Sequence, residues 1–331
     1  MNSFDSKLQT NLLQALAKKN IEFEVIFQGN AFPNHTNTLH TFLNVIKRLH
    51  TLQYTLLENG TESLDIFILN KNPIRVTIDQ SEIINFCKLN KLNEQTVKEI
   101  IVKKKLDDFT SLINDDYQFI VNMKQEINFD NINTQSNINI MDYKNQFFNE
   151  YFTELQKRFR YKKRYSFVTN DQLFRIDLTI VRQASGKNIV KSDLFNQQKQ
   201  YEIEIEYVGK RFTASQSDNQ RHTIVANILK QLKINIGYIL QVIQDSFYII
   251  PESEKTIVKQ VYQSLLNHIY TKRKQTKLTV LEKYHKWIQD QTIQTILDQE
   301  TMNDYFRKQK SPMYLIELYN NLQKIHAKKK L

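Results

Sequence analysis

The sequence predicts an α+β protein built on a closed antiparallel β-barrel of eight strands, with flanking helices and a helical C-terminal extension. Three observations predict it. Short segments alternate charged and apolar residues with the period of two that sends successive side chains to opposite faces of a strand. The charged faces are acidic in some segments and basic in others. Between and after these segments, apolar residues recur at helical spacing. Closing such a sheet turns opposite charges toward one another and removes exposed edges.

The 331-residue chain opens with Met1 to Asn20, which is polar and amphipathic and lacks the apolar block of a signal peptide. Asn20 to Phe27 is the first strand, with Glu22 and Glu24 on one face and Ile21, Phe23 and Val25 on the other. Asn37 to Glu58 carries Leu39, Phe42, Leu43, Ile46 and Leu49 at helical spacing. Ser63–Leu69 and Pro73–Asp79 read as strands, the second offering Arg75 and Thr77. Ser81 to Leu89 reads as a short helix with Ser81 as its N-cap. Strands recur at Val97–Leu106 and Tyr117–Phe129, the latter presenting Asn122, Lys124 and Glu126. The Asn-rich stretch Asn128 to Asn139 reads as a loop, and Asp142 to Arg158 as a helix.

Arg160 to Phe167 alternates again and places Arg160, Lys162, Arg164 and Ser166 together. Leu173 to Arg182 sets Arg175, Asp177 and Thr179 against Phe174, Ile176, Leu178 and Ile180. After a turn around Ser185-Gly186, Tyr201 to Tyr207 sets Glu202, Glu204 and Glu206 against Ile203, Ile205 and Tyr207. Gln216 to Leu232 reads as a helix and Gly237 to Ile250 as a further strand or pair. Beyond Pro251 the alternating charged strands stop, and Glu254–Tyr270 and Leu278–Leu297 have long helical periodicity. The expected division is therefore a barrel domain over 1–250 and a helical extension over 251–331. In the extension, Lys272, Arg273, Lys274 and Lys277 read as a helix end or linker, and Tyr284 and Trp287 as helix-packing residues.

Carboxylates and guanidinium groups facing one barrel interior exclude a dry core, because taking ions out of water is costly unless they are paired. A divalent cation together with a polyphosphate satisfies both signs: carboxylates take the cation, and Arg and Lys take phosphate oxygens. The formal charge of +11 favours a polyanionic partner such as nucleic acid. The single cysteine, Cys87, excludes an internal disulfide and fits a reducing compartment. No run is long and apolar enough to span a membrane. Cys87 is followed by Lys-Leu-Asn-Lys-Leu, with no Gly-rich phosphate loop, and no Walker-type Gly-Lys-Ser/Thr is present. The histidines are scattered, which argues against a zinc site.

Taken in order, four segments resemble the motifs of one family: Glu22-x-Glu24, the basic strand from Arg160 to Ser166-Phe167, Arg175-x-Asp177-x-Thr179, and Glu202-x-Glu204-x-Glu206. The family is the metal-dependent RNA 5'-triphosphatases of fungi, protozoa and large DNA viruses, in the triphosphate tunnel metalloenzyme superfamily. The chain most resembles the triphosphatase modules of viral mRNA capping enzymes, over Ile21 to Ile250. The resemblance implies hydrolysis of the γ-phosphate of triphosphate-ended RNA to leave a diphosphate end. It implies Mg2+ or Mn2+ held by Glu22, Glu24 and Glu206, with Glu204 acting through water. Arg75, Lys124, Arg160, Lys162, Arg164, Arg175 and Thr179 would meet the phosphates, Asp177 would orient Arg175, and Glu126 would position the attacking water.

The same resemblance implies an intracellular protein, in the nucleus or, if viral, the cytoplasm or a viral factory. It also implies a possible guanylyltransferase partner, as a subunit or as a further domain, since no Lys-x-Asp-Gly nucleophile motif occurs in this sequence. One position departs from the pattern. Ile26 stands where many superfamily members carry Lys or Arg, which counts against thiamine triphosphatases and class IV adenylyl cyclases and passes a phosphate contact to Arg75 or the Lys103–Lys105 run. Two other readings stay open: a hydrolase of the same fold acting on tripolyphosphate or nucleoside triphosphates, and a non-catalytic module that binds RNA 5' ends.

Overall fold

In the computed structural model, which describes residues 3–27, 32, 36–69, 74–106, 109–128 and 147–272, nine strands form one sheet and eight of them close on themselves. In chain order the elements are α1 (Ser3–Ala17), β1 (Ile21–Phe27), α2 (Leu39–Thr51), β2 (Thr55–Ile68), β3 (Ile74–Asp79), α3 (Gln80–Leu89), β4 (Val97–Lys105), β5 (Leu112–Asn114), β6 (Phe119–Asn128), β7 (Lys157–Val168), β8 (Phe174–Gly186), β9 (Gln200–Tyr207), α4 (Asp218–Ile243) and α5 (Glu252–Lys272). The ladder runs β1-β9-β8-β7-β2-β3-β4-β6, and β6 pairs back onto β1. Every pairing is antiparallel. Lys124 to Asn128 of β6 pair with β4, while Phe119 to Val121 pair with the short β5, so two strands in succession cover one edge of β6.

The alternation has a simple result. Ile21, Phe23, Val25 and Phe27 of β1, Ile203 and Ile205 of β9, and Phe174, Ile176 and Leu178 of β8 are buried on the outer face. Helices α1 and α4 pack together, as do α2 and α4, and α1 and α2 cover β1 and β9 respectively. Around the other side, Leu64, Ile66 and Ile68 of β2 and Ile74, Val76 and Ile78 of β3 form a core with Ile83 and Phe86 of α3. Cys87 packs against this cluster. Helix α2 begins at Thr38, whose hydroxyl accepts the Thr41 amide, and buries Phe42, Val45 and Leu49.

In β2 the pairing with β7 slips between Leu56 and Glu58 and again between Asn59 and Thr61. Gly60, at the second slip, has φ +74°, and an added Cβ would stand 2.9 Å from Lys163 Cε. The irregularity shifts the alternation by one, so Glu58 and Asp65, an odd number of residues apart, both face inward.

Several expected boundaries are corrected. Gly237–Ile250 is not strand: α4 continues through Gly237 to Ile243, because Val225, Ile228, Leu232, Ile236, Ile239 and Leu240 sustain one buried helical stripe. The helix expected over Asn37–Glu58 stops at Thr51, and Thr55 to Glu58 already belong to β2. Helix α3 starts one residue earlier than expected, with Asp79 rather than Ser81 at the N-cap. Of the helix expected over Asp142–Arg158, the part before Phe147 lies outside the described residues; Glu150–Glu154 is a short 3-10 helix, and Lys157 and Arg158 are strand. The Asn-rich loop beyond Asn128, the Leu278–Leu297 helix, Tyr284, Trp287 and the basic run from Arg273 onward also lie outside them.

The chain divides into two compact units. The first comprises Met1–Asn114 and Gln118–Ile243, and the second Asp115–Tyr117 and Gln244–Leu331. In the second, the first turn of α5 is capped by Asp116, whose carbonyl and carboxylate accept the Glu252 and Ser253 amides at 2.8 and 3.3 Å. No helix of the described residues is long and apolar enough to cross a membrane.

Candidate active site

Residues paired across neighbouring strands share a face, so the register shows what looks into the barrel. Going round, Glu22 stands opposite Lys124, Glu24 opposite both Asn122 and Glu206, Arg175 opposite Glu206, Asp177 opposite Glu204 and Ser166, and Arg164 opposite Thr179. Asp65 stands opposite Arg160 and Thr77, Thr77 opposite Glu99, and Lys103 opposite Glu126. All eight barrel strands therefore contribute polar side chains to one tunnel.

The acidic wall comes from β1, β9 and β6. Glu24 and Glu206 are direct neighbours across two strands, an arrangement of like charges that weakens a sheet. Burial raises the Glu22 carboxyl above its ordinary value, and the Glu24 charge beside it adds to the effect against the pull of Lys103. Burial likewise pushes Glu206 up to about 7, opposed by Arg175 and reinforced by Glu22. Glu204 is pushed up to about 8 by burial and by the charges of Glu24 and Glu202.

Glu22, Glu24 and Glu206 are each turned toward a cation. Glu22 accepts from Lys103 Nζ at 2.8 Å, Glu24 from Lys124 Nζ at 2.6 Å, and Glu206 from Arg175. Among the described residues, no three His, Cys, Asp or Glu side chains form a ready-made metal cluster. Glu126 holds the other side of Lys103 at 2.6 Å. Burial works against the charge on Lys103, but Glu22 and Glu126 together raise its pKa.

The basic wall comes from β7, β8 and β3. Asp65 is fully buried, accepts the Thr77 hydroxyl at 2.9 Å and pairs with Lys162 Nζ at 2.7 Å. Burial works to raise Asp65, but Lys162, Arg75 and Arg160 together hold it below the usual range. Burial pushes Lys162 down to about 8 despite Asp65, with Arg164 and Arg75 adding repulsion. One carboxylate thus faces several cations. Asp177 accepts Arg175 Nε on both oxygens at 3.1 Å and Ser166 Oγ at 2.7 Å, with Arg164 at 3.6 Å. Arg75 pairs with Glu99 at 3.2 Å. Arg75 Nε, Arg164 Nε and Thr179 Oγ1 are buried with no hydrogen-bond partner.

Every site residue expected from the sequence, from Glu22 to Glu206, lies among the described residues and on the tunnel face. The details differ in places. Glu202 pairs with Arg160. Lys124 contacts Glu24, so in this arrangement it sits on the acidic wall. Asp65, Glu58 and Glu99 are additional tunnel acids, and Lys103, at the start of the Lys103–Lys105 run, bridges two glutamates.

At the level of sequence, no protein family and no curated protein matches the chain. Solved structures do resemble it. The RNA triphosphatase domain of a trifunctional mimivirus mRNA capping enzyme superposes with a TM-score of 0.47 and 20% identity, over 73% of this chain and 98% of that one. A monoclinic form of the mimivirus capping enzyme triphosphatase gives 0.48 and 20%, over 73% and 99%. The S. pombe RNA triphosphatase Pct1 gives 0.37 and 13%, over 74% and 88%. The barrel assignment rests on the closed strand ladder described above.

Proposed function

We propose that the chain is an RNA 5'-triphosphatase of the mRNA-capping type, which removes the γ-phosphate of triphosphate-ended RNA with the help of a divalent cation. The observation that carries this reading is a closed tunnel with opposed carboxylates on one wall and cationic and hydroxyl side chains on the other, where Arg75 Nε, Arg164 Nε and Thr179 Oγ1 have no hydrogen-bond partner. The mimivirus domain and S. pombe Pct1 are RNA triphosphatases; for this chain the tunnel supports the reading.

The donor set fits Mg2+ or Mn2+. Glu22, Glu24 and Glu206 offer hard oxygen ligands, and among the described residues no histidine or cysteine forms a metal cluster with them. The crowding of Glu24 against Glu206 and the raised Glu22, Glu204 and Glu206 carboxyls are what a bound dication would relieve. When bound, the ion supplies charge neutralisation and a template for the γ-phosphate.

The protein's own groups do the rest by position and charge, which is most of what phosphoryl transfer asks of an enzyme. Arg75, Arg164 and Thr179 present their free donors to phosphate oxygens. Lys162, crowded by guanidiniums, gains from an added anion. Arg175, fixed by Asp177, spans from the acidic to the basic wall. Glu126 is the carboxylate we assign to orient the attacking water.

Phosphate release from triphosphate-ended RNA with Mg2+, Mn2+ or chelator tests the reading; no metal-dependent release would overturn it. Faster release from tripolyphosphate than from RNA would favour the small-molecule hydrolase instead. On this reading the protein works where transcripts are capped, in the nucleus or a cytoplasmic viral factory, and hands diphosphate ends to a guanylyltransferase. A docking role for residues 252–331 predicts that trimming them lowers guanylyltransferase binding, and unchanged binding refutes it.

A further inference from the structure

We infer that Lys103 and Lys124 are exchangeable counter-ions that link binding of the divalent cation to binding of the triphosphate, an inference that rests on the function proposed above. Both lysines stand where a cation would be bound. Lys124 Nζ lies 2.6 Å from Glu24, and its backbone position faces Glu22 across the β1–β6 ladder. Lys103 Nζ lies 2.8 Å from Glu22 and 2.6 Å from Glu126.

The third cation on this wall is held differently. Arg175 is anchored by both oxygens of Asp177 as well as reaching Glu206, so it stays in place whatever happens to Glu206. The ammonium groups of Lys103 and Lys124 have the tunnel acids as their ion-pair partners, and each rides on a flexible four-carbon stem with three rotatable donors. Their side chains are 26% and 34% exposed, whereas the Glu24 side chain that Lys124 meets is 8% exposed. The lysines can leave, and the acid cannot.

A dication arriving at Glu22 and Glu24 brings the same two positive charges as the two ammoniums, concentrated at one point that both carboxylates can reach. The Lys–Glu pairs then lose their Coulomb advantage, and the freed ammoniums face the phosphates that the cation brings in. Each ligand thereby creates part of the site for the other, and coupling of this kind is reciprocal. No covalent step is involved.

The consequence is a pair of changes with opposite sign. In the full chain, Lys124→Met should tighten Mn2+ binding measured by calorimetry without phosphate, by roughly 5-fold, because a built-in competitor is gone. The same variant should weaken binding of the β,γ-imido analogue of GTP at saturating Mn2+, by on the order of 10-fold. Lys124→Arg keeps the charge and should leave Mn2+ affinity near the parent value. Lys103→Met, which acts on Glu22 and Glu126, should repeat the pattern and serves as the second variant if Lys124→Met does not fold. Mn2+ affinity that falls or stays unchanged in the methionine variants overturns the inference. If that happens while phosphate release from RNA still requires Mn2+, the exchange fails and the triphosphatase reading stands; loss of metal-dependent release in the parent removes both.

Discussion

Glu24 and Glu206 face one another directly across β1 and β9, and their offsetting charges come from opposite sides, Lys124 for the first and Arg175 for the second. A sheet built for stability alone would not pair two glutamates on a buried face. The pair is intelligible as half of a cation site. Glu24→Gln and Glu206→Gln should each lower metal-dependent phosphate release by on the order of 100-fold while leaving the circular dichroism spectrum unchanged. Retention of near-parent turnover by both variants would remove this pair from the site.

The raised acids give the metal-free protein a defined pH response. Glu206 and Glu204 hold their protons up to about 7 and about 8 in the fold, against an ordinary value of 4.5. Between 4.5 and about 8 the native state therefore binds more protons than the unfolded chain, and stability falls as pH rises. Above about 8 the buried Lys157 and Lys162, whose folded values are lowered to about 8, act in the other direction. Urea midpoints of chelator-treated protein should decline from pH 5 to pH 8. Glu204→Gln should flatten that decline and raise the midpoint at pH 8. A midpoint that rises steadily over this range would contradict the assignment of Glu204 as a buried, charge-crowded acid.

How much of this was legible in the sequence depends on whether the alternation stays in phase. Glu22, Glu24, Arg160 to Ser166, Arg175 to Thr179 and Glu202 to Glu206 lie in uninterrupted strands, so period-two counting alone puts each set on one face. Asp65 has the same pattern around it, Ser63 and Asp65 against Leu64 and Ile66, but it is the single acid of the expected Ser63–Leu69 strand and gives little signal. Glu58 was unreadable for a different reason: the irregularity at Gly60 breaks the count. Glu99 sits in Val97-Lys-Glu-Ile-Ile-Val102, where consecutive apolar residues obscure the alternation. The misread end of α4 shows the limit of local pattern. Ile-rich residues after Gly237 suit either state, and only the long buried stripe against α1 and α2 decides for helix.

Asp65 and Lys162 form the most deeply buried ion pair of the described tunnel residues, with side chains 0% and 8% exposed. Removing one partner leaves the other charge buried, which typically costs about 3 kcal/mol or more. Asp65→Asn, which still accepts from Thr77, should lower stability by about 3 kcal/mol in urea unfolding. The double variant Asp65→Leu, Lys162→Met should recover most of that loss but not phosphate release. Equal stability of Asp65→Asn and the parent would mean that Lys162 has another anion.

Ser166 provides the finest test of how the basic wall is aimed. Its Oγ lies 2.7 Å from Asp177 and 3.2 Å from Glu58, and one hydroxyl proton serves one acceptor at a time, so the shorter contact to Asp177 is the donated bond. Asp177 in turn fixes Arg175 through both oxygens and attracts Arg164. Ser166→Ala removes a hydrogen bond to a charged acceptor but no phosphate ligand. Its direct effect should be a loss of about 1.5–3 kcal/mol in stability with a larger fall in kcat than rise in KM, because a misaimed arginine is felt most where charge develops. Asp177→Asn should show the same split more strongly, on the order of 100-fold in kcat. Restoring the hydroxyl with Ser166→Thr should recover most of kcat. A change in KM alone for Ser166→Ala would assign the hydroxyl to substrate binding instead of to holding Asp177.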